Sequence, residues 1–283
     1  MESIPQTRHP SIPGYRISLY GWNNHHQNGA ERMKKISPKP GKHKSIRKAL
    51  LICSALLFPV TMLYFSPGIV FRGARLGILS GSYLTFALLF ISSLVAGRAW
   101  CGYLCPGGGF GEIACTVNNK PFTKKRLTYV KYLVWVIWLI AIVLVAVFIG
   151  GGFHSIDPFL GTEYGVSLHS LKLLPFYYLV IGIILVLSFL LGRRGFCHSL
   201  CWMAPFMVLG RAIRNTFKTP AIQLLAEPGR CTDCGLCQKS CPMSLPVPLL
   251  VKNGKMEHID CILCGECAKV CPQQVLRLNF GKP

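Results

Sequence analysis

The sequence has few charged residues and very few acidic ones. Only 14% of its 283 residues are charged, whereas soluble domains have about 25%, and 10 Asp and Glu stand against 31 Lys and Arg. With 51% hydrophobic residues, this composition excludes an ordinary soluble enzyme. The formal net charge of +21 is not accompanied by a groove-reading or base-stacking motif. The basic residues flank apolar segments instead, so we expect a lipid membrane as partner and no nucleic acid.

Several sequence signatures are absent. No Cys-x-x-Cys-His occurs and no histidine lies in the core of an apolar segment, so no haem is expected. The glycine-rich run at 107–111 is not followed by Lys-Ser/Thr, which excludes a phosphate-binding loop. No small-residue cleavage site follows the first apolar run, which argues against a secretory signal peptide.

Four apolar segments are each about long enough to cross a bilayer as a helix. They lie at about Ala49–Phe65, Leu76–Ala96, Leu127–Gly150 and Leu174–Leu191. Residues 1–48, which precede them, are polar and hold ten Lys and Arg against two acidic residues. This composition predicts a basic, disordered tail on the cytoplasmic side.

Lysine and arginine are distributed unevenly between the loops. The tail is basic, the segment between the second and third helices holds five basic residues with Lys131 just inside the third, and Arg193 and Arg194 follow the fourth helix. The other two loops hold only Arg72, Arg75 and Lys172. Because basic loops stay in the cytoplasm, we expect a multi-pass protein of the cytoplasmic (inner) membrane with both termini in the cytoplasm.

The chain contains an internal repeat. The second and fourth helices are followed by Gly97–Pro106 and Gly192–Cys201, and each of these segments has Gly-Arg, an aromatic residue and Cys-x₃-Cys. Tandem helix pairs in the same order imply a pseudo-two-fold axis along the membrane normal. The cysteines of the two motifs should then face one another near the inner surface. They are Cys101, Cys105, Cys197 and Cys201.

Several roles are open for these four cysteines. On a continued helix, two thiols at i and i+4 share a face, so the four could form a third metal centre. They could also cycle between dithiol and disulfide as a relay, or contact the cofactor of a partner. Buried packing is the plain alternative, but the duplication of the pair argues against it. Cys53 and Cys115, outside the motifs, are expected to be packing residues.

Eight further cysteines form two identical runs of Cys-x₂-Cys-x₂-Cys-x₃-Cys-Pro. Such runs bind two [4Fe–4S] clusters, and the fourth cysteine of each run binds the other cluster. One predicted ligand set is Cys231, Cys234, Cys237 and Cys271, and the second is Cys261, Cys264, Cys267 and Cys241. Four cysteines can also bind structural zinc, but two identical runs that each end in proline favour clusters. Because thiolate ligands need a reducing compartment, these runs also predict a cytoplasmic C-terminus.

The motifs divide the chain into regions of two fold classes. Residues 49–218 are predicted to form an all-α membrane domain of four transmembrane helices, arranged as two tandem helix-pair repeats. Residues 219–283 are predicted to form a small α+β ferredoxin-like domain. Its expected strands are Ala221–Leu225, Lys255–His258 and Val275–Phe280.

Three basic residues lie between the two regions. Arg211, Arg214 and Lys218 follow the second Cys-x₃-Cys motif. We expect them to lie along the inner headgroups and to orient the ferredoxin domain. Docking of an acidic soluble partner is the alternative that the sequence leaves open.

The last region, with all eight cysteines and both prolines, resembles the bacterial two-cluster ferredoxins. From about Ala49 to Phe280 the chain resembles the NapH-type (NapH/MauN-like) ferredoxin membrane proteins. Gly97–Pro106 matches the pattern of that family, but in the second motif Cys201 is separated from Pro205 by three residues. The resemblance implies electron transfer between membrane quinone or quinol and other redox proteins.

These features together indicate a membrane-anchored iron–sulfur protein that transfers electrons through the two clusters. No substrate pocket can be read from the sequence, so an electron-transfer subunit of an oxidoreductase is expected rather than a stand-alone enzyme. Two alternatives from other classes remain open. The chain could be a redox-sensing regulatory protein, or a cofactor-maturation protein that uses the clusters as an electron source.

Overall fold

The computed structural model describes residues 42–254 and 256–282. Most of the predicted tail, residues 1–41, lies outside the described residues. Helix α1 (Lys42–Leu56) begins seven residues before the predicted end of the tail, so the prediction of disorder is wrong for residues 42–48. The described residues form one compact unit. Within it we call residues 42–218 the helical region and residues 219–282 the ferredoxin region.

The first predicted span is a bent pair of helices. Helix α1 is followed by α2 (Phe58–Thr61) and a 3₁₀ turn at Met62–Phe65. The two parts meet at an angle of 56°. The bend lies where Pro59 occupies the first turn of α2, because proline cannot continue the hydrogen-bond ladder of α1 but suits the start of a new helix.

The second predicted span is shorter than expected. Helix α3 (Pro67–Leu76) ends at Gly77, whose φ of +66° gives a left-handed cap. Strand β1 (Ile78–Ser80) follows, and α4 (Gly81–Ala96) begins only after it, so the predicted start at Leu76 is wrong. Sixteen residues rise about 24 Å as a helix, against about 30 Å for the bilayer core.

The third and fourth predicted spans are long apolar helices. Helix α7 (Val130–Phe148) extends a 3₁₀ turn at Lys125–Tyr129, and α8 (Leu174–Leu191) extends one at Leu171–Leu173. Within the part of the chain that the structure describes, these two are long and apolar enough to cross a membrane, and the bent pair is a third candidate if it is counted as one span. Many of their large apolar side chains are exposed, which suits contact with lipid.

A short parallel ladder joins the loops at the far end of the helices. Strand β2 (Ser155–Asp157) pairs with β1, with Ile78 opposite Ser155. Gly77 is required here, because a Cβ on it would lie 2.7 Å from the carbonyl oxygen of Gly152. The ladder fixes the loop that leads from α7 to α8.

Each long helix pair is followed by two short helices. The first pair of short helices is α5 (Ala99–Tyr103) and α6 (Pro106–Val117). The second is α9 (Gly195–Ser199) and α10 (Ala204–Phe217). This repetition of the same local structure agrees with the internal repeat of the sequence.

The ferredoxin region contains a two-stranded antiparallel sheet and three short helices. Strands β3 (Ala221–Ala226) and β4 (Leu276–Gly281) pair from Ala221 opposite Gly281 to Ala226 opposite Leu276. The predicted strand at 255–258 is wrong for residues 256–258, which are not extended into a ladder, and residue 255 lies outside the described residues. The helices are α11 (Leu236–Ser240), α12 (Val247–Lys252) and α13 (Glu266–Lys269), with a 3₁₀ turn at Pro228–Arg230.

One buried core runs through both regions. Phe86 and Met207 of the helical region belong to the same apolar cluster as Met243, Ile262 and Leu263 of the ferredoxin region. Side chains of a separate, merely tethered domain would not share a core in this way. The cysteine-rich loops are therefore positioned by the helices beneath them.

Candidate functional site

The structure sorts the eight ferredoxin cysteines into two sets around two cavities. Each set combines three cysteines of one run with the last cysteine of the other run, the arrangement that a pair of cubane clusters requires. The inner set is Cys241, Cys261, Cys264 and Cys267, and the outer set is Cys231, Cys234, Cys237 and Cys271.

The two runs fold into the same turn. Asp233 and Leu263 have φ values of +54° and +49°, and Gly235 and Gly265 have +70° and +72°. Left-handed residues at matching positions curl each loop around its cavity, and glycine takes this conformation without strain. The thiols of each run are thereby turned toward a common centre.

The chemistry of both cavities fits a metal–sulfur cluster. Burial raises the pKa of the Cys237 and Cys264 thiols to about 12, so these groups ionise only when a cation takes up their charge. Burial raises the pKa of the Cys241 thiol, and the backbone N–H groups of Leu245 and Met243 oppose that rise; N–H groups beside a thiolate favour its charged form. All fourteen cysteines, each of them within the described residues, are free of disulfides.

The two sets differ in their access to solvent. Each cysteine of the inner set is 8% exposed. In the outer set Cys234 is exposed and the other three are half-buried. One cavity therefore faces the interior of the molecule and the other faces its surface.

The loop of the inner set packs directly on helix α5. A Cβ on Gly102 would lie 2.7 Å from the carbonyl oxygen of Ile262 and 3.5 Å from the Cβ of Cys264. The Tyr103 hydroxyl donates to the carbonyl oxygen of Cys264 at 3.3 Å. Only glycine permits this approach, so the sequence of the first Cys-x₃-Cys motif itself sets the distance between the two regions.

A buried ion triad joins the regions beside Cys261. Arg98, fully buried, donates to the Asp260 carboxylate at 3.0 Å and to the Ile259 carbonyl oxygen at 3.1 Å. Lys131 donates to the same carboxylate at 2.7 Å. Burial alone would raise the pKa of Asp260, but the two cations outweigh it and hold that pKa well below its usual range.

Arginines of the second repeat bind the cluster loops as well. Arg211 pairs with Glu257 and donates to the Cys261 carbonyl oxygen at 3.0 Å. Arg214 lies 3.5 Å from the same carboxylate. Both arginines are buried, so their predicted position along the headgroups is wrong, and they contact the ferredoxin region directly. Arg193 donates to the Cys241 carbonyl oxygen at 3.3 Å.

A third ion network ties α1 to both repeats. Arg47 donates at 2.8 Å to Glu266 in α13 and at 2.8 Å to Glu112 in α6. Arg194, fully buried, donates to Glu112 at 3.1 Å and to the Cys101 carbonyl oxygen at 2.7 Å. Sequence reasoning assigned Arg47 to the disordered tail and used Arg194 only for topology. For Arg194 the available sign was its position in the repeat, three residues before Cys197 as Arg98 is before Cys101, whereas no motif marked Arg47.

The four cysteines of the repeat lie together in the buried core. Their exposures are between 3% and 7%, and the pKa of Cys105 is raised by burial and then by the charges of Cys101, Cys201 and Cys197. The Cys101 sulfur lies 4.0 Å from that of Met207. Within the described ranges, no three or more His, Cys, Asp or Glu side chains are placed to hold a single metal ion.

Both Cys-x₃-Cys motifs have the same backbone structure. The N–H of Cys105 donates to the Trp100 carbonyl oxygen at 3.0 Å, and that of Cys201 donates to Phe196 at 3.1 Å. Each short helix thus ends before its second cysteine, so the expectation of one continued helix is wrong. The late position of Pro205 is accommodated, because it lies in the first turn of α10 as Pro106 does in α6.

The two cysteines outside the motifs are placed differently from one another. Cys115 is half-buried on α6, whereas Cys53 is exposed on α1. The expectation that Cys53 packs in the core is therefore wrong.

Two family models match the chain. Residues 230–276 match one described as a 4Fe-4S dicluster domain. Residues 81–119 and 173–220 match one described as a 4Fe-4S binding domain, so each of its two segments covers one Cys-x₃-Cys repeat. Together with the donor sets described above, these matches give the chain two [4Fe–4S] clusters.

Similar proteins occur in bacteria and archaea. The chain is 27% identical to the putative electron transport protein YccM of Escherichia coli, over 65% of this chain and 52% of that protein. It is 28% identical to the methylamine utilization ferredoxin-type protein MauN of Methylorubrum extorquens, over 52% and 48%. An uncharacterized protein of Methanocaldococcus jannaschii is 27% identical over 62% and 69%. The chain thus spans about half the length of YccM and MauN, and no solved structure is a significant match.

Proposed function

We propose, taking this chain as the NapH/MauN-like ferredoxin-type protein that its motifs and relatives identify, that it passes electrons between a membrane quinone or membrane redox partner and another redox protein. When bound, the two [4Fe–4S] clusters supply one-electron transfer over short distances. The chain acts as the electron-transfer subunit of an oxidoreductase.

The difference in exposure between the two cysteine sets carries this proposal. The inner set is buried against the short helices that follow the apolar helices, and the outer set opens to solvent through Cys234. A chain built this way has one redox centre directed at the helical region and one directed at a soluble surface. Electrons can then pass from one end of the chain to the other in either direction.

Arginines of the helical region hold the loops of the inner set in place and surround it with positive charge. Arg211 and Arg98, both buried, donate to the loop carbonyl oxygens of Cys261 and Ile259, and the half-buried Arg193 donates to that of Cys241. These hydrogen bonds fix the loop conformation. The positive charges of the arginines also offset the negative charge of a thiolate-bound cluster, and their packing excludes water from it. Fixed geometry and a dry, positively charged surrounding reduce the reorganisation that electron transfer requires.

The apolar helices support a multi-pass position in the cytoplasmic membrane. We take α7, α8, the bent pair α1–α2 and the shorter α4 as the four spans, with the ferredoxin region and both termini in the cytoplasm. The basic loops and the thiolate chemistry support this orientation. Helix α10 packs closely against α4, because a Cβ on Gly210 would lie 2.8 Å from the carbonyl oxygen of Phe90. We regard a short α4 supported in this way as compatible with a span.

Electron entry from quinol can be tested on the full chain in lipid vesicles under anaerobic conditions. A water-insoluble quinol analogue is added, and the visible absorbance and EPR spectra of the clusters are recorded. Reduction of the clusters is expected, followed by reoxidation when a soluble one-electron acceptor is added. Vesicles without quinol serve as the blank.

Two cysteine variants sharpen this test. Cys234→Ser removes the exposed ligand of the outer set, so transfer to the soluble acceptor should fall at least about tenfold while quinol still reduces the remaining centre. Cys53→Ser, at a cysteine in neither set, should retain both steps. No cluster reduction by quinol analogues would contradict the proposal, and redox-dependent partner binding without turnover would favour a sensor.

A further inference from the structure

The fold sorts the charges of the ferredoxin region by sign. Residues 219–283 hold seven Lys and Arg against five Asp and Glu, which is nearly balanced. Three of the five carboxylates, those of Glu257, Asp260 and Glu266, form ion pairs with cations of the helical region. These three therefore offset the charge of the helices, and only two carboxylates remain for the rest of the ferredoxin region.

The cations of the ferredoxin region lie on its surface. Six of the seven belong to the described residues, and each of the six is exposed to solvent. They are Arg230, Lys239, Lys252, Lys269, Arg277 and Lys282, and we call the surface that carries them the basic surface. The remaining carboxylates are Glu227 and Asp233. A cluster bound by the outer set adds about two negative charges, so the basic surface keeps a positive charge.

Four of these cations stand beside ligands of the outer set. Arg230 directly precedes one ligand, and Lys239 and Lys269 each stand two residues from another. Lys252 pairs at 2.6 Å with Asp233, which directly precedes the exposed ligand of the set. The positive charge is therefore concentrated where the outer cluster approaches solvent.

The basic surface also offers an apolar contact. Leu249 of α12 is 55% exposed, and its neighbour Pro248 lines the outer cavity together with Cys234. Protein interfaces combine an apolar centre with a polar rim. An apolar side chain beside the outer cavity and cations around it have this arrangement.

The two carboxylates of the basic surface hold its cations only weakly. Glu227 pairs with Arg230 and Arg277, and Asp233 pairs with Lys252. The side chains in these pairs are 39% to 66% exposed, and exposed ion pairs contribute little because water and salt screen them. Carboxylates of a partner can therefore compete for the same cations.

We propose that the basic surface is the docking site of an acidic, soluble one-electron carrier protein. Carboxylates of the carrier contact the cations around the outer set. One electron then passes between the outer cluster and the redox group of the carrier, so that one is oxidised as the other is reduced. This assignment rests on the proposed function, which requires a soluble redox partner. A second copy of this chain would bring like charges together, which opposes association.

The charge preference can be measured with two forms of one carrier. Cytochrome c is basic, and succinylation of its lysines makes it acidic while the haem is kept. The full chain, in nanodiscs of zwitterionic lipid, is reduced by dithionite, freed of the reagent and mixed anaerobically with either form. The absorbance of the reduced haem gives the second-order rate constant. We expect the acidic form to react at least about tenfold faster in about 20 mM salt, and the difference to shrink in about 300 mM salt because ions screen the attraction.

A double charge reversal locates the docking site. The variant R230E/K269E changes two exposed cations beside the outer set, so it should lose most of the preference for the acidic form while its iron content and EPR spectra stay unchanged. The matched control R72E/R75E reverses two exposed cations of α3, in the helical region, and should keep the preference. The comparison of the two cytochrome forms on the wild type does not depend on the folding of any variant.

Equal rates with both forms, or a faster reaction of the basic form, would overturn the proposal. A preference that R230E/K269E fully retains would place the docking site elsewhere and would equally overturn it. Binding to anionic vesicles that this variant abolishes, without a preference for the acidic form, would assign the basic surface to lipid instead. Because dithionite supplies the electrons, the test is independent of quinol. A preference without reduction by quinol would refute quinol entry alone, and reduction by quinol without the preference would refute the docking site alone.

Discussion

Asp233 and Asp260 each stand directly before a cluster cysteine, yet their surroundings differ. The Asp260 side chain is 7% exposed and pairs with Arg98 and Lys131, whereas Asp233 is 54% exposed and pairs with Lys252. Removing one partner of a buried ion pair costs roughly 3–5 kcal/mol because the remaining charge stays buried. An exposed pair contributes roughly 0–1 kcal/mol.

We therefore expect Asp260→Asn to lower the free energy of unfolding by roughly 3–5 kcal/mol, and Asp233→Asn to change it little. Thermal unfolding in detergent, followed by tryptophan fluorescence, measures both variants against the wild type. Equal melting temperatures for the two variants would show that the buried triad does not hold the regions together.

Glu112 is the carboxylate shared by Arg47 and Arg194, and it gives a prediction on pH. Burial alone would raise the pKa of Glu112, but Arg194 and Arg47 lower it below its ordinary value, which is about 4.3. A carboxylate whose pKa is lowered in the folded state contributes its full stabilisation of the fold at pH values above its ordinary pKa. That stabilisation is lost as the pH falls through the lowered value.

The melting-temperature difference between wild type and Glu112→Gln should hence be constant from about pH 8 to about pH 5 and shrink below about pH 4. The exposed Glu227, replaced by Gln, is the matched control and should show only a small difference throughout. A Glu112→Gln difference that grows as the pH falls would mean that the sign of the pKa change is wrong.

At the scale of elements, α5 is the helix on which the cluster loop rests. Gly102→Ala would bring a Cβ to 2.7 Å from the Ile262 carbonyl oxygen, a backbone atom that cannot easily move. We expect this substitution to destabilise the chain by roughly 1–3 kcal/mol through overpacking and to shift the EPR spectrum of the inner cluster. Gly182→Ala, where a Cβ meets nothing within 4 Å, should leave both properties unchanged. Unaltered stability and spectrum in Gly102→Ala would contradict the close packing.

Local patterns predicted most of the elements. Hydropathy located the two long helices, and the cysteine spacing located both cluster loops and two of the strands. The first span was located by hydropathy as well, but the structure bends it where Pro59 lies in the first turn of α2. The start of the second span was misplaced because the apolar run continues through β1, where the left-handed cap at Gly77 ends the preceding helix.

The contacts between the regions could not be predicted from local patterns. Arg98 and Asp260 are 162 positions apart, and Arg47 and Glu266 are 219 apart. Hydropathy and motif spacing describe neighbours along the chain, and arginines beside apolar segments are read as topology signals. Their burial in ion networks depends on which loop folds back over them, so only the structure could reveal it.

At the scale of the whole molecule, the two cysteine sets should differ in chemical reactivity. Because Cys234 is exposed and the inner cysteines are buried, an iron chelator should remove iron from the outer set first. We expect iron to be released in at least two phases. The absorbance of the iron–chelator complex measures the release, and EPR identifies the cluster that remains. The Cys234→Ser variant should lack the fast phase. A single phase for all iron would contradict the difference in access.

The sharing of one buried core by the two regions has a consequence for how the protein can change. Among the described residues, the carboxylates beside the inner set, Asp260, Glu266 and Glu257, form their ion pairs with cations of the helical region. A substitution of one of these carboxylates must therefore be matched by a substitution of its cation in the helical region. The surface around the exposed Cys234 is not constrained by these ion pairs. Under the proposed function, a different soluble redox partner could therefore be accommodated by substitutions around Cys234, while the contacts with the helices stay as they are.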